Sequence, residues 1–267
     1  MEVVLIGSGN IATVLGRLLQ QNCYRISQVY SRNRAHAEIL AAELKAVPIA
    51  DLPLLNRNAD LYIVAVTDDA LPRIAAELSL ENALVIHTAG SVSKEILKNA
   101  STQYGVLWPM KMIRKTMQTI RPATIVIDGN SEKVIQRVEA IARGFSETIT
   151  IADDHLRTKM HMLAAVTSNF SNHLYQLAAD YCEQENIDFS LFYPIIEETA
   201  IRIQSTHPKG VQAGPAMRGD RQTLETHQQL LQKYPQLAQL YTVLSNSIRV
   251  SFDPVRTGLA EKNDPKS

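Results

Sequence analysis

The apolar and polar positions divide the chain into two parts with different periodicity. From Val3 to about Ile151, short β-branched runs alternate with stretches that carry apolar residues at helical spacing. The predicted strands are VVLIG, ISQVY, LYIVAV, ALVIH, GVLW, ATIVID and ETITIA. Because strands alternate with helices, we expect an α/β fold with a doubly wound, mainly parallel sheet and helices on both faces.

The strand pattern stops after Asp153. HLRTKMHMLAAVTSNFSNHLYQLAADYCEQE predicts a single helix of about 30 residues, apolar on more than one side. Further helices are predicted from about Phe189 to Ser205, in RQTLETHQQLLQKY and, after Pro235, in PQLAQLYTVLSNSIRV; THPKGVQAGPAMRGD reads as a loop and AEKNDPKS as a disordered tail. We therefore expect a sheet domain over 1–152 and an all-α domain over 153–267.

Composition and charge limit the classes of partner. Among 267 residues, 27 Lys and Arg balance 27 Asp and Glu, so nucleic acid and membrane surfaces are not expected partners. Cys23 and Cys182 lack the spacing of a zinc or redox motif, which suits a reducing compartment, and no close His, Cys or carboxylate cluster predicts a metal site. The apolar runs are too short for a signal peptide or a membrane span, so a cytoplasmic location is expected.

The first predicted strand runs directly into the glycine-rich segment GSGNIA. Gly7 allows a sharp reversal, Gly9 allows close approach to a phosphate, and the small Ala12 lets the following helix lie near its strand. The helix N-terminus then faces the anion. The segment predicts a Rossmann-type dinucleotide site that includes Gly7, Ser8, Gly9, Asn10 and Ile11; the alternative is a tight turn without a ligand.

The end of the second strand indicates which dinucleotide binds. An Asp or Glu there would hold the adenosine ribose of NAD, but no acidic residue occurs between Glu2 and Glu38. YSRNR instead supplies Ser31, Arg32 and Arg34, and a hydroxyl with a guanidinium can bind the 2′-phosphate of NADP. We therefore expect NADP, with Ser31 and Arg32 as ligands. The alternative is arginines solvated on a loop.

Two further strand ends supply polar or small residues. After LYIVAV, Val66, Thr67 and Asp68 are predicted to reach the cofactor, although helix capping is the simpler interpretation for at least one of Asp68 and Asp69.

One strand later, HTAGS is predicted to line the nicotinamide pocket. His87 and Thr88 begin this segment, and Gly90 ends the part expected to face the ring. The alternative is that Thr88 and Ser91 only shape the turn.

Six segments together resemble a known family. They are LIGSGNIA, AVTDDAL, HTAGS, WPMKM, HMLAAVTSNF and AGPAMRGDRQTLETH, in this order over nearly the entire chain. They resemble Rossmann-like NADP oxidoreductases with a C-terminal helical domain of unknown function. That family is similar to pyrroline-5-carboxylate reductase and to hydroxyacid dehydrogenases related to 6-phosphogluconate dehydrogenase. The resemblance implies hydride transfer and dimerisation through the helical domain.

One position departs from the hydroxyacid dehydrogenases. Those enzymes carry, on the long helix, a catalytic Lys followed four residues later by Asn, whereas here Leu163 follows Lys159 at that distance. Hydroxyacid chemistry is therefore not carried over. His161 and Asn169 are instead eight residues apart, close to two helical turns, and fall roughly on one face.

His161 is the first candidate for a catalytic acid. Its side chain can change charge near neutral pH and could protonate a carbonyl or imine, while Asn169 could orient the substrate. The alternatives are a histidine satisfied in the core and an asparagine that only packs.

The segment GPAMRGDRQTLETH supplies the other candidates. Arg218 could bind a substrate carboxylate, and Asp220, Thr223 and His227 share one helix face. The alternative is that Asp220 only caps the helix and His227 is exposed.

These features predict an NADP-dependent oxidoreductase built as a homodimer. Residues 1–152 would bind NADP, and residues 153–267 would bind the substrate and form the dimer. A small polar carbonyl or imine would lie between the sheet edge and the helical domain. The alternative is an NADP-binding sensor or scaffold without turnover. A methyltransferase that uses S-adenosylmethionine is less consistent, because that cofactor also needs an acid after the second strand.

Overall fold

The computed structural model describes residues 1–252, and its chain forms two compact units, Met1–Val166 and one that begins at Thr167. The division falls later than the expected boundary near Ala152, because the helix after the last strand belongs to the first unit. Met160 and Ala164 of that helix pack against Val106 and Trp108 of the sheet. The tail AEKNDPKS, predicted to be disordered, lies outside the described residues.

The first unit contains one eight-stranded sheet in the order β3-β2-β1-β4-β5-β6-β7-β8. The strands are β1 Glu2–Ile6, β2 Arg25–Tyr30, β3 Val47–Ile49, β4 Leu61–Val64, β5 Leu84–His87, β6 Gln103–Met110, β7 Thr124–Gly129 and β8 Thr148–Ile151. All neighbouring strands are parallel except β6 and β7, which confirms the predicted doubly wound, mainly parallel sheet. Because β1 lies between β2 and β4, the ligand crevice is expected at the carboxyl ends of these strands.

Helices cover both faces of this sheet. They are α1 Asn10–Gln21, α2 Arg34–Glu43, α3 Leu71–Glu77, α4 Glu132–Arg143 and α5 Asp154–Ala164. Along β1, Val3 and Leu5 belong to one apolar cluster and Val4 and Ile6 to the other, all fully buried. Burial on both faces explains why β1 is a continuous apolar run rather than an alternating one.

Strand β3 is not among the predicted strands. It has three residues and lies at the edge of the sheet. Pro48 occupies its centre and Val47 is exposed, so neither length nor apolar pattern marks the segment. Proline is tolerated there because an edge strand has backbone groups that need no partner strand.

The second unit is helical. Its α-helices are α6 Ser171–Gln184, α7 Tyr193–Ser205, α8 Pro215–Arg218, α9 Arg221–Leu230 and α10 Pro235–Ser251. The single long helix predicted after Asp153 is continuous from α5 to α6 through a π-helical segment, Ala165–Phe170, and the division between the units falls within it. No helix within residues 1–252 combines the length and the hydropathy needed to cross a membrane.

Candidate functional site

The glycine loop between β1 and α1 has the backbone that the sequence predicts. Gly7 adopts φ of 129°, and a Cβ there would lie 2.1 Å from the carbonyl oxygen of Ala65, so a side chain has no room. Gly9 differs, because no heavy atom lies within 4 Å of the position of its Cβ. Packing inside the protein does not require glycine at position 9. The open space suits a ligand that approaches the backbone.

The start of α1 suits an anion. The helix begins at Asn10, its N-cap Gly9 offers no side-chain hydrogen bond, and its first turn contains no acidic residue. The first N–H groups of a helix lack partners within the helix and carry partial positive charge. This turn therefore fits a pyrophosphate.

A cleft of about 780 Å³ opens at the carboxyl ends of β1, β2 and β4. Its volume is in the range of small-molecule sites. Ten of the twelve predicted cofactor residues line it: Gly7, Ser8, Gly9, Asn10, Ile11, Ser31, Arg32, Val66, Thr67 and Asp68. The structure thus brings together residues from three separate strand ends.

The cleft has a polar region after β2. The hydroxyl of Ser8 donates to the hydroxyl of Ser31 over 2.9 Å, which joins the glycine loop to this strand end. Arg34 forms an ion pair with Glu38 at 3.0 Å, whereas Arg32 is exposed and pairs with no acid in the described part of the chain. Arg32 is therefore available to a ligand and Arg34 is already engaged.

Two basic residues of the cleft were not predicted. Arg73 lines it from α3 and Lys111 from the segment after β6, whose carboxyl end lies at the same edge of the sheet. The position of Lys111, three residues after the predicted strand GVLW, was the available signal. Together with Arg32 they favour a ligand with several negative charges.

Asp68 does not cap a helix, which corrects the simpler interpretation of the sequence. Helix α3 begins at Leu71 and its N-terminus receives no side-chain cap. The carboxylate of Asp68 instead accepts a hydrogen bond of 2.7 Å from the hydroxyl of Ser91. Asp68 therefore links the segment after β4 to the segment after β5.

His87 and Thr88 lie in the interior and do not line the cleft. Both are buried, at 0% and 3% exposure, because β5 is a central strand covered on both faces. The Nδ1 atom of His87 accepts from the backbone N–H of Ala89 over 3.2 Å. Burial and the nearby charge of Arg157 lower the pKa of His87 to about 4, so its imidazole is neutral at pH 7. Contact of either residue with the cofactor stays a prediction.

His161 is exposed, so it is not the core histidine of the alternative interpretation. It lies on α5, and its ring meets the ring of Trp108 edge to face with centroids 5.4 Å apart. A Cβ on Gly90 would lie 2.7 Å from Nδ1 of His161, so the backbone after β5 approaches the imidazole closely. Gly90 follows β5 and Trp108 lies near the end of β6, which places His161 at the carboxyl edge of the sheet.

A charge cluster with a buried centre includes Arg157, one helical turn before this histidine, and was not predicted. It consists of Arg157, Asp128, Lys94 and Asp154, with Arg157 only 1% exposed. Burial lowers the pKa of Lys94, but the hydrogen bond to Asp128 and the nearby negative charges of Asp128 and Asp154 together outweigh it, so the pKa is raised. Burial similarly opposes the hydrogen bonds from Ser93 and Arg157, which hold the pKa of Asp154 below its usual value. No local spacing reveals these residues, because they come from three distant segments.

The other four catalytic candidates lie in the second unit. Asn169 is exposed in the π-helical segment, and Arg218 is exposed at the end of α8. Asp220 caps α9, as the alternative interpretation holds, because its carboxylate accepts from the N–H of Thr223 at 3.1 Å and from its hydroxyl at 2.7 Å. These hydrogen bonds lower the pKa of Asp220.

His227 is half-buried rather than exposed. Its Nδ1 lies 2.7 Å from the hydroxyl of Tyr241, beside an apolar cavity of about 270 Å³ within the second unit. A common substrate site for His161 and the four candidates of the second unit stays a prediction.

Comparison with known proteins assigns a description to each half of the chain. Residues 2–91 match the family model described as NADP oxidoreductase coenzyme F420-dependent. Residues 123–248 match a domain of unknown function, DUF2520. None of the curated proteins compared with the chain matches it.

Solved structures are similar over nearly the whole length. The crystal structure of "putative NADP oxidoreductase BF3122" from Bacteroides fragilis is 35% identical, with a TM-score of 0.86 over 93% of this chain and 97% of that one. An imine reductase from Myxococcus stipitatus in complex with NADP+ is 12% identical, with a TM-score of 0.67 over 97% and 95% of the two chains. The 1-pyrroline-5-carboxylate reductase from Streptococcus pyogenes is 15% identical, with a TM-score of 0.61 over 93% of this chain and 98% of that one. At 15% and 12% identity, the last two comparisons show only that the fold is shared.

Proposed function

The chain belongs to the family of NADP oxidoreductases in which an N-terminal NADP oxidoreductase domain precedes DUF2520, and from this premise we propose that it transfers hydride between NADPH and a small polar carbonyl or imine. It is an NADP-dependent oxidoreductase. The class of substrate is supported by the imine reductase and the pyrroline-5-carboxylate reductase among its structural neighbours.

The cleft at the carboxyl edge carries this proposal. The backbone of Gly7 to Asn10 would hold the pyrophosphate, since Gly9 leaves open space and the start of α1 has no side-chain cap. Ser31 would hold the 2′-phosphate together with Arg32, which pairs with no acidic residue within residues 1–252. NADPH bound there supplies the hydride.

His161 is the proposed proton donor. A protonated ring nitrogen of the exposed imidazole would give its proton to a carbonyl oxygen or an imine nitrogen. Contact with Trp108 and Gly90 holds the ring at the sheet edge, where ligands of this fold bind.

The second unit supplies further candidates for substrate binding. Arg218 is exposed and would pair with a substrate carboxylate, and Asn169 would orient a polar group. Asp220 and His227 have partners within the unit, so their proposed role is to hold the segment that carries Arg218.

Steady-state oxidation of NADPH with keto acids and cyclic imines tests the proposal. His161→Gln is expected to lower kcat by about a hundredfold, as for loss of a general acid, with the Kd of NADPH within about twofold. His155→Gln is the matched control, because His155 is an exposed histidine on the same helix.

The rival function is a sensor that binds NADP without turnover, and the Leu at position 163 in place of the catalytic Asn favours it. NADPH binding with no oxidation across the whole substrate panel would support the sensor. Equal kcat in His161→Gln and the wild type would remove the acid role.

We also propose that the second unit forms a homodimer. Its helices expose large apolar side chains, such as Phe170 at 61%, Leu191 at 70% and Ile195 at 60%. Exposure on this scale is typical of a surface that a partner covers. Light scattering at micromolar concentration tests this, and a monomer that persists with NADPH would contradict it. The cytoplasmic location expected from the sequence stays a prediction.

A further inference from the structure

We propose that Arg157 is the positioning residue for His161. It ties the first turn of α5 to the segment after β5, called here the β5 loop (88–94), so that the imidazole one turn later stays against Gly90 and Trp108. This inference rests on the proposed role of His161 as the acid.

Arg157 joins several segments although it is almost fully buried. One guanidinium nitrogen, Nη2, donates to the carbonyl oxygen of Val92 over 2.7 Å and also to the carboxylate of Asp154. The other, Nη1, lies 3.4 Å from Asp128 on β7 and 3.4 Å from the carbonyl oxygen of Ala152. A single side chain thus contacts the β5 loop, β7 and the start of α5.

A second set of bonds fastens the same two elements. The carboxylate of Asp154, in the first turn of α5, accepts from the hydroxyl of Ser93 and from the backbone N–H of Lys94 at 3.1 Å. The ammonium group of Lys94 reaches Asp128 over 2.8 Å. The β5 loop is therefore held to α5 through both its backbone and its side chains.

The link to His161 follows from helix geometry. Arg157 and His161 are four residues apart on α5, so they share one side of the helix. Gly90 stands two residues before Val92, and a Cβ there would lie 2.7 Å from Nδ1 of His161 and 2.7 Å from the Trp108 ring. Because there is no room for a side chain between Gly90 and these two rings, a small shift of the β5 loop relative to α5 changes the position of the imidazole.

Stability alone does not explain a buried ion cluster, because apolar residues of similar size can stabilise the folded protein as well. Unlike apolar packing, the cluster supplies hydrogen bonds with fixed directions. The arrangement around Arg157 is thus suited to set a geometry.

Trp108 makes a direct test possible, because it is the single tryptophan of the chain and contacts His161. The emission of an indole ring changes when an imidazole packed against it is removed. We therefore expect the emission of the cofactor-free protein, measured at one fixed pH, to differ between the wild type and His161→Gln.

Arg157→Met should shift the emission of Trp108 most of the way to that of His161→Gln, while circular dichroism shows a folded protein. Arg157→Lys should restore part of the wild-type emission. Asp154→Asn is a milder variant that removes one charge of the cluster, and it should shift the emission in the same direction even if Arg157→Met does not fold. Arg143→Met, which breaks an ion pair with Glu139 on α4, is the control and should keep the wild-type emission. Wild-type emission in folded Arg157→Met, or in Asp154→Asn if the former does not fold, would overturn the proposal.

A kinetic double-mutant cycle separates positioning from a general structural effect. Arg157→Met, or Asp154→Asn in its place, should lower kcat by about tenfold in the wild type but by less than about twofold in His161→Gln, with the KM for NADPH little changed. An equal loss in both backgrounds would show that Arg157 does not act through His161. If His161→Gln itself leaves kcat unchanged, the acid role fails, and the emission of Trp108 still decides whether Arg157 positions the ring.

Discussion

The carboxyl edge of the sheet has two halves that differ in how their polar groups are paired. In the first, the open half around β1, β2 and β4, the space beside Gly9 is open and Arg32 has no acidic partner among the described residues. In the second, the paired half around β5, β7 and α5, Arg157 and Asp128 are buried and bonded to each other. Polar groups that lack an internal partner mark where a ligand binds, whereas those that have partners fix the geometry around it.

Besides the backbone pairing of β4 with β5, a side-chain hydrogen bond joins the two halves. Asp68 follows β4 and accepts from Ser91, which follows β5. The open half and the paired half are therefore parts of one edge. Variants should nevertheless separate them, because changes in the open half should alter cofactor affinity and changes in the paired half should alter stability.

The largest effect is expected in the paired half. Asp128→Asn leaves two cations, Arg157 and Lys94, without their shared carboxylate, and should lower the free energy of unfolding by about 3 kcal/mol. Urea denaturation measures this, and the Kd of NADPH should stay within about twofold. The control is Glu139→Gln, which removes a surface i,i+4 pair with Arg143 and should change stability by about 0.5 kcal/mol. A large loss of NADPH affinity in Asp128→Asn would break the separation of the two halves.

The next effect is a pH dependence of stability that comes from His87. Its pKa of about 4 in the folded protein lies below the usual 6.5, so the unfolded chain binds the proton more readily. The contribution is complete above pH 6.5 and is lost as the pH falls to 4, by about 3 kcal/mol at most.

Denaturation of the wild type and of His87→Gln across this pH range measures that contribution. The variant should show a flatter profile between pH 6.5 and 4, because it lacks the titrating imidazole. Parallel profiles for the two proteins would mean that His87 is not held neutral by its surroundings.

A smaller effect is expected in the open half. Gly9→Ala should weaken NADPH binding by about tenfold, since its Cβ enters the open space, yet change stability by less than about 1 kcal/mol. Gly7→Ala is the matched comparison and should destabilise the fold, because Gly7 has a positive φ and its Cβ would meet Ala65. Unchanged NADPH affinity in Gly9→Ala would contradict a cofactor at this loop.

The sequence predicts the open half well because its signals are local. Gly7 and Gly9 are two residues apart, and Ser31 and Arg32 follow directly after a recognisable strand. Such features depend on a few adjacent residues and on strand order.

The paired half could not be predicted in the same way. Arg157 resembles any charged residue of an amphipathic helix, and only the fold brings it to Asp128, 29 positions earlier. The polar segment around Asp220 shows the converse limit, because a helix cap and a catalytic carboxylate share one local pattern. Edge strand β3 was not predicted, because three residues around a proline show no hydrophobic periodicity.

The most direct test is calorimetric titration of NADPH and NADH into the wild type and Arg32→Ala. The central claim is that the open half binds NADP through the open backbone at Gly9 and through Arg32, which has no acidic partner within residues 1–252. The wild type should bind NADPH at least about tenfold more tightly than NADH. Loss of one charge-assisted hydrogen bond, about 1.5 to 3 kcal/mol, should weaken NADPH binding by about ten- to a hundredfold and leave NADH nearly unchanged. Arg34→Ala, which removes an arginine already paired with Glu38, should have little effect on either. No preference for NADPH in the wild type, or an equal loss for both cofactors in Arg32→Ala, would contradict the account.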